Sequence, residues 1–67
     1  MNNNLGVGEN IKRQRAYKGI KQSHLAENIG ISRVTLSKYE NGKVDISLGQ
    51  LKLIAEKLEI NFNQLFH

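Results

Sequence analysis

Arg33, Val34, Thr35 and Lys38 lie within six consecutive positions and combine the side-chain chemistries that read the edge of a base pair. An arginine donates two parallel hydrogen bonds to guanine O6 and N7, and a lysine reaches guanine or a phosphate. Valine and the threonine methyl can touch a thymine methyl, while the threonine hydroxyl bonds a base edge or a phosphate. Taken singly, Val34 has the alternative of a plain surface valine and Lys38 that of a solvated lysine. What joins them is helical spacing, which sets all four on the side away from the apolar Leu36.

The elements that must position them are legible around them. In the stretch from Gln22 to Gly42, Leu25, Ala26 and Ile29 repeat at helical spacing, Gly30 supplies a left-handed residue, and Ser32 can cap a second helix. Two short helices joined by a tight turn form a helix-turn-helix, whose second helix fits the DNA major groove.

Helix signals recur along the chain, which has no proline and no alternating run long enough for a strand. The expectation is an all-α fold, a compact five-helix bundle carrying the helix-turn-helix. Residues 1 to 5, with three consecutive asparagines, read as a frayed lead-in. Helix 1 is expected from Val7 to Lys18 with Ile11 buried, helix 2 from Gln22 to Ile29, and helix 3 from Arg33 to Asn41. Glycines 19, 30 and 42 each fall just past a helix, where a left-handed residue is needed. Leu48, Leu51, Ile54, Ala55 and Leu58 form the apolar stripe of helix 4, opened by a capping box of Ser47 and Gln50. Asn61 and Gln64 form a second capping box for a short helix 5, with Leu65 and Phe62 or Phe66 closing the core. Gly6 and Gly8 read as lead-in flexibility; Gly49 has no physical account at this stage.

Sixty-seven residues suit one domain over 1–67 with a small core, since so short a chain buries only about 60% of its unfolded surface. Without cysteine there is no disulfide framework and no thiolate metal site. No apolar run approaches the roughly 18 residues of a membrane span, and the Asn-rich start lacks the apolar segment of a signal peptide. A soluble, cytoplasmic protein is expected. The net charge of +4 is unevenly spread: residues 12 to 43 hold eight Lys or Arg against two Glu, a net of +6 that leaves −2 elsewhere. That asymmetry favours phosphate backbones near the helix-turn-helix, although charge alone suits anionic lipid or acidic proteins equally.

Other chemistry lacks parts. His24 and His67 are expected to be exposed and have no partner at fixed spacing, the acids suggest no pair for acid-base work, and no metal-ligand spacing or phosphate-cradling glycine loop appears. No enzyme activity, catalytic residue, metal or cofactor is expected, and no small-molecule ligand is evident.

The pattern of Ile11 with Arg15, then Gly19, Ile20, Gln22, Leu25, Ala26, Gly30, Ile31 and Ser32, then Glu40, Asn41, Gly42 and Lys43, and finally Leu51, Ile54, Ala55 and Leu58 resembles the Xre and phage Cro/CI repressor-type helix-turn-helix family over nearly the whole chain. The resemblance implies a lambda-repressor-like fold with Arg33, Val34, Thr35 and Lys38 lining the major groove. It implies phosphate contacts from Gln22 at the start of helix 2 and from Asn41 and Lys43 after helix 3, with Lys21 and Ser37 assigned to the same backbone-binding set. Arg15 and Glu40 look like the family's ion pair between helices 1 and 3. The chain departs from the family pattern at Lys21, where Ser or Thr usually caps helix 2, at Gln14 in place of Leu, and at Ile46 in place of Pro.

Two function classes follow. One is a sequence-specific regulator of transcription, most simply a repressor binding a palindromic operator as a homodimer, with half-sites about 34 Å apart. The other is a protein-interaction or antitoxin-type module on the same scaffold, or the DNA-binding piece of a larger regulator. The basic surface of helix 3 favours the first, because an interaction surface concentrates aromatic and apolar residues. Leu53, Ile60, Phe62 and Phe66 are candidates for a dimer patch.

Overall fold

Apolar residues at spacings of three and four leave each helical segment one face to bury, and the segments pack those faces together. The computed structural model describes residues 3–66. In chain order it contains α1 (Asn3–Tyr17), α2 (Gln22–Asn28), α3 (Arg33–Glu40), α4 (Leu48–Leu58) and a 3-10 helix (Phe62–Phe66). All of these elements are helical, and no strand occurs among the described residues. The core gathers Ile11, Leu25, Leu36, Ile54, Leu58 and Leu65, each essentially inaccessible to solvent. α1 packs chiefly on α3 and the 3-10 helix, and α2 on α3.

Four expectations change. The fifth element is a 3-10 helix rather than an α-helix: five residues are too few for a stable α-helix, and Gln64 N–H closes a tight turn onto the Asn61 carbonyl at 2.9 Å. Helix 1 starts at Asn3 instead of Val7, so Asn3–Leu5 are helical and not a lead-in; residues 1 and 2 lie outside the described residues, as does His67. Leu48, placed in the apolar stripe of α4, is 58% exposed at the first position of that helix. The fourth concerns Gly8. It is buried where α1 crosses the end of α3, and a Cβ there would lie 2.2 Å from the Tyr39 carbonyl oxygen and 2.9 Å from that of Glu40. Its role is close approach of two backbones, a tertiary demand invisible in local sequence.

The helix ends follow a common plan. Glycines 19, 30 and 42 all have positive φ, between 68° and 77°. At each, the glycine N–H bonds a carbonyl three residues back and the next residue's N–H bonds one five residues back, as in Ile31 N to Ala26 O at 3.0 Å. α3 opens on Ser32, whose hydroxyl accepts the Thr35 N–H at 3.0 Å, and α4 on Ser47, which accepts that of Gln50 at 3.2 Å. The Gln50 side chain does not complete the expected capping box; it donates to the Tyr39 hydroxyl at 3.4 Å. Gln64 does return to the Asn61 N–H, at 2.8 Å.

Candidate nucleic-acid interface

α3 buries Leu36, Tyr39 and Glu40 and thereby turns Arg33, Val34 and Lys38 to solvent, with Thr35 and Ser37 half-buried at the flanks. Val34 is 56% exposed, so more than half of its apolar surface is left to solvent. Tyr39, absent from the sequence-based core, completes the buried side. Exposed Lys21 precedes α2 as its N-cap residue with an extended backbone and no side-chain capping bond. Lys21 and Arg33 line one open groove of ≈ 500 Å³, together with His24 and Glu27.

A polar chain ties this face to the rest of the protein. Arg15 Nε donates to Glu40 Oε2 at 2.7 Å and a second guanidinium nitrogen to Oε1 at 3.1 Å, a two-point pair across α1 and α3. Arg15 also donates to the Ile20 carbonyl at 2.9 Å, fixing the α1–α2 turn. The Glu40 side chain is 2% exposed, so its oxygens take their hydrogen bonds from protein donors rather than from water. Gln22 Nε2 gives a further one, to Glu40 Oε1 at 3.0 Å. Because a carboxylate accepts only, the Gln22 amide must face Glu40 with its nitrogen and turn its oxygen outward. Arg33 meets that oxygen at 3.4 Å. The second N–H of Gln22 makes no bond among the described residues. Four residues from three helices thus form one line from α1 to the head of α3.

At the other end of α3, Asn41 Nδ2 donates to the Ser37 carbonyl at 2.8 Å and to Ser37 Oγ at 3.3 Å. In this arrangement Asn41 caps its own helix, with both the carbonyl and the hydroxyl of Ser37 accepting from its amide. Lys43 is exposed directly after the left-handed Gly42. Arg33, Val34, Ser37, Lys38 and Asn41 therefore run along one face of α3, flanked by Lys21 and Gln22 at its head and by Lys43 beyond its foot.

Sequence reasoning missed Asn10. Buried to 6% exposure, it donates to the Leu65 carbonyl at 2.8 Å and accepts from Arg13 at 2.8 Å, locking the 3-10 helix onto α1. An asparagine on the inner face beside Val7 and Ile11 was the available signal. Of the proposed dimer residues, Leu53, Ile60 and Phe62 pack half-buried against the core, while Phe66 is 48% exposed and meets Phe62 edge-on at 5.1 Å.

With this geometry in hand, comparison with known proteins is informative. A helix-turn-helix family model matches residues 11–65. An uncharacterised HTH-type transcriptional regulator of Rickettsia prowazekii is 40% identical over 60 residues, covering 90% of this chain and 46% of its own. The antitoxin PezA of Streptococcus pneumoniae is 36% identical over 56 residues, covering 84% of this chain and 35% of its own. The chain thus spans less than half the length of these two curated relatives. The restriction-modification controller protein C.AhdI of Aeromonas hydrophila superposes with a TM-score of 0.87 at 29% identity, over 92% of this chain and 94% of that one.

Proposed function

Because the chain belongs to the Xre and Cro/CI-type helix-turn-helix family, we propose that it is a DNA-binding regulator of transcription that inserts α3 into the major groove. The observation that carries this reading is the outward face of α3, where Arg33, Val34 and Lys38 are exposed side by side while Gln22 holds the Arg33 guanidinium from behind. Arg33 reads guanine, Val34 and the Thr35 methyl contact thymine methyls, and Lys38 reaches guanine or phosphate. Lys21, Gln22, Ser37, Asn41 and Lys43 hold the phosphate backbone; for Asn41 this requires release of its bonds to Ser37. Arg15 and Glu40 serve the scaffold. The chain carries out no reaction and binds no cofactor in this reading.

The simplest output is repression by a homodimer on a palindromic operator, with the pairing surface around Phe66, Leu53, Ile60 and Phe62. No helix among the described residues is long and apolar enough to cross a membrane, in keeping with a cytoplasmic regulator. A second reading rests on the likeness to PezA: an antitoxin-type protein, or the DNA-binding part of a longer regulator, in which a further segment binds the partner.

Selection of random duplexes by the purified chain at two salt concentrations tests the proposal. A palindromic consensus with half-sites one turn apart is the expected result, and Arg33→Ala should lose about 1–3 kcal/mol on that consensus only. Binding that enriches no sequence and vanishes at moderate salt would overturn it.

A further inference from the structure

The groove that Lys21 and Arg33 line continues past α2. A second open groove, of ≈ 480 Å³, runs between Lys21 of the α1–α2 turn, His24 and Asn28 of α2 and Lys57 in the last turn of α4. Lys21 and His24 border both grooves, so the two form one surface with those side chains as its ridge. The first groove includes Glu27, but no acid lines the second. Lys21, His24 and Lys57 are all exposed, and neither lysine makes an ion pair among the described residues. Lys21 also caps no amide of α2 and sets its charge against the positive end of that helix, so the stability of α2 does not account for it. An open groove edged by separate ammonium groups suits a row of phosphates, each neutralised in turn with release of counterions. A small ligand would instead need polar groups converging on it.

We propose that this second groove extends the DNA-binding surface beyond the base-reading half-site, with Lys57 holding a backbone phosphate of the flanking duplex. The inference rests on the major-groove reading of α3. In that reading the strand beside the head of α3 passes Lys21, and the same strand meets Lys57 as it leaves the helix-turn-helix. Lys57 reads no base there; a phosphate contact adds affinity and fixes the register of the protein on its site. DNA is favoured over an acidic protein as the occupant because the adjoining groove, across the ridge of Lys21 and His24, belongs to the same face as Arg33.

The test measures affinity against salt concentration on two duplexes built on the sequence that the unaltered chain enriches. One ends at the outer edge of the consensus, and the other runs one helical turn, about ten base pairs, further on each side. The unaltered chain should show a steeper salt dependence on the longer duplex. Lys57→Ala should lower the slope there by about 0.9, the value of one phosphate contact, and change nothing on the shorter one. Lys52→Ala is the control: it removes the same charge from an exposed position of α4 five residues earlier, on another side of the helix, and should match the unaltered chain on both duplexes. Thermal melts establish that the variants fold alike. Equal slopes for Lys57→Ala and the unaltered chain on the longer duplex would overturn the contact and leave the groove to an acidic protein. A slope lowered equally on both duplexes, or equally by Lys52→Ala, would mean that net charge and not a contact is at work, and would overturn it too. If the unaltered chain enriches no sequence, the major-groove reading falls and this inference with it; a consensus that gains nothing from its flanks defeats this inference alone.

Discussion

The ends of α3 and α4 are built from the same backbone device with different side chains. At α3, Gly42 N–H bonds the Tyr39 carbonyl at 3.2 Å and Lys43 N–H that of Lys38 at 2.9 Å; at α4, Glu59 bonds Glu56 at 3.0 Å and Ile60 bonds Ala55 at 3.0 Å. Both turns pass through the left-handed region, with φ of 68° at Gly42 and 57° at Glu59. The residue that follows decides what the turn is for. Ile60, like Ile20 and Ile31 after α1 and α2, packs against the core and pins its helix end by burial. Lys43 stays in solvent. The α3 end must then be held by other means, and it is: by the Arg15–Glu40 pair, the Asn41 cap and the seat of Gly8.

If polar anchoring replaces the missing isoleucine at α3, its removal should be costly. Glu40→Ala strips a buried carboxylate from Arg15 and Gln22, leaving both donors short of an acceptor, and should cost about 3–4 kcal/mol in denaturant unfolding. Gly8→Ala comes next. A Cβ 2.2 Å from a backbone carbonyl oxygen cannot be relieved by rotating a side chain, so α1 must lift from α3 at a cost of about 3 kcal/mol. Stability within about 0.5 kcal/mol of the unaltered protein, the ordinary range for surface changes, would mean that the crossing is loose and that α3 is anchored elsewhere.

Exchanging the two residues sharpens the contrast. Ile60→Lys gives up half-buried apolar surface and should cost about 1 kcal/mol of stability while leaving the affinity of a single protomer for a half-site duplex unchanged. Lys43→Ile should leave stability nearly unaltered and weaken binding to every duplex alike, with the salt slope shallower by about one. Equal effects on stability, or a Lys43→Ile loss confined to one sequence, would erase the functional difference between the two ends.

The same contrast marks what could be read from the sequence. Glycines 19, 30 and 42 announce their helix ends because a side chain is strained at positive φ, and Ser32 and Ser47 announce the starts because a hydroxyl there satisfies a free amide. Those signals are local. The end of α4 carries no glycine and is legible only from its apolar stripe. Gly8 and Asn10 meet Tyr39 and Leu65, partners thirty or more positions away, so the neighbouring sequence marks Asn10 as inward-facing but names the distant partner of neither. At the candidate interface, the residue types of α3 were legible, but the order in which Arg15, Glu40, Gln22 and Arg33 hand hydrogen bonds along required the fold. The inward turn of Asn41 onto Ser37 likewise depends on a rotamer that spacing does not specify.

The smallest effect is expected at Glu59, where the comparison can be tested in the stabilising direction. An L-residue in the left-handed region costs about 1–2 kcal/mol, while glycine lowers that strain but adds about 0.5–1 kcal/mol of unfolded-chain entropy. Glu59→Gly should therefore gain only about 0.5–1 kcal/mol, or roughly 4 °C in a domain of this size. The Lys18 ammonium that reaches the Glu59 carbonyl at 3.5 Å bonds backbone and should be unaffected. A melting temperature that stays put or falls would mean that the Glu59 side chain offsets its own backbone strain, and the α4 turn would then differ from the α3 turn in energy as well as in sequence.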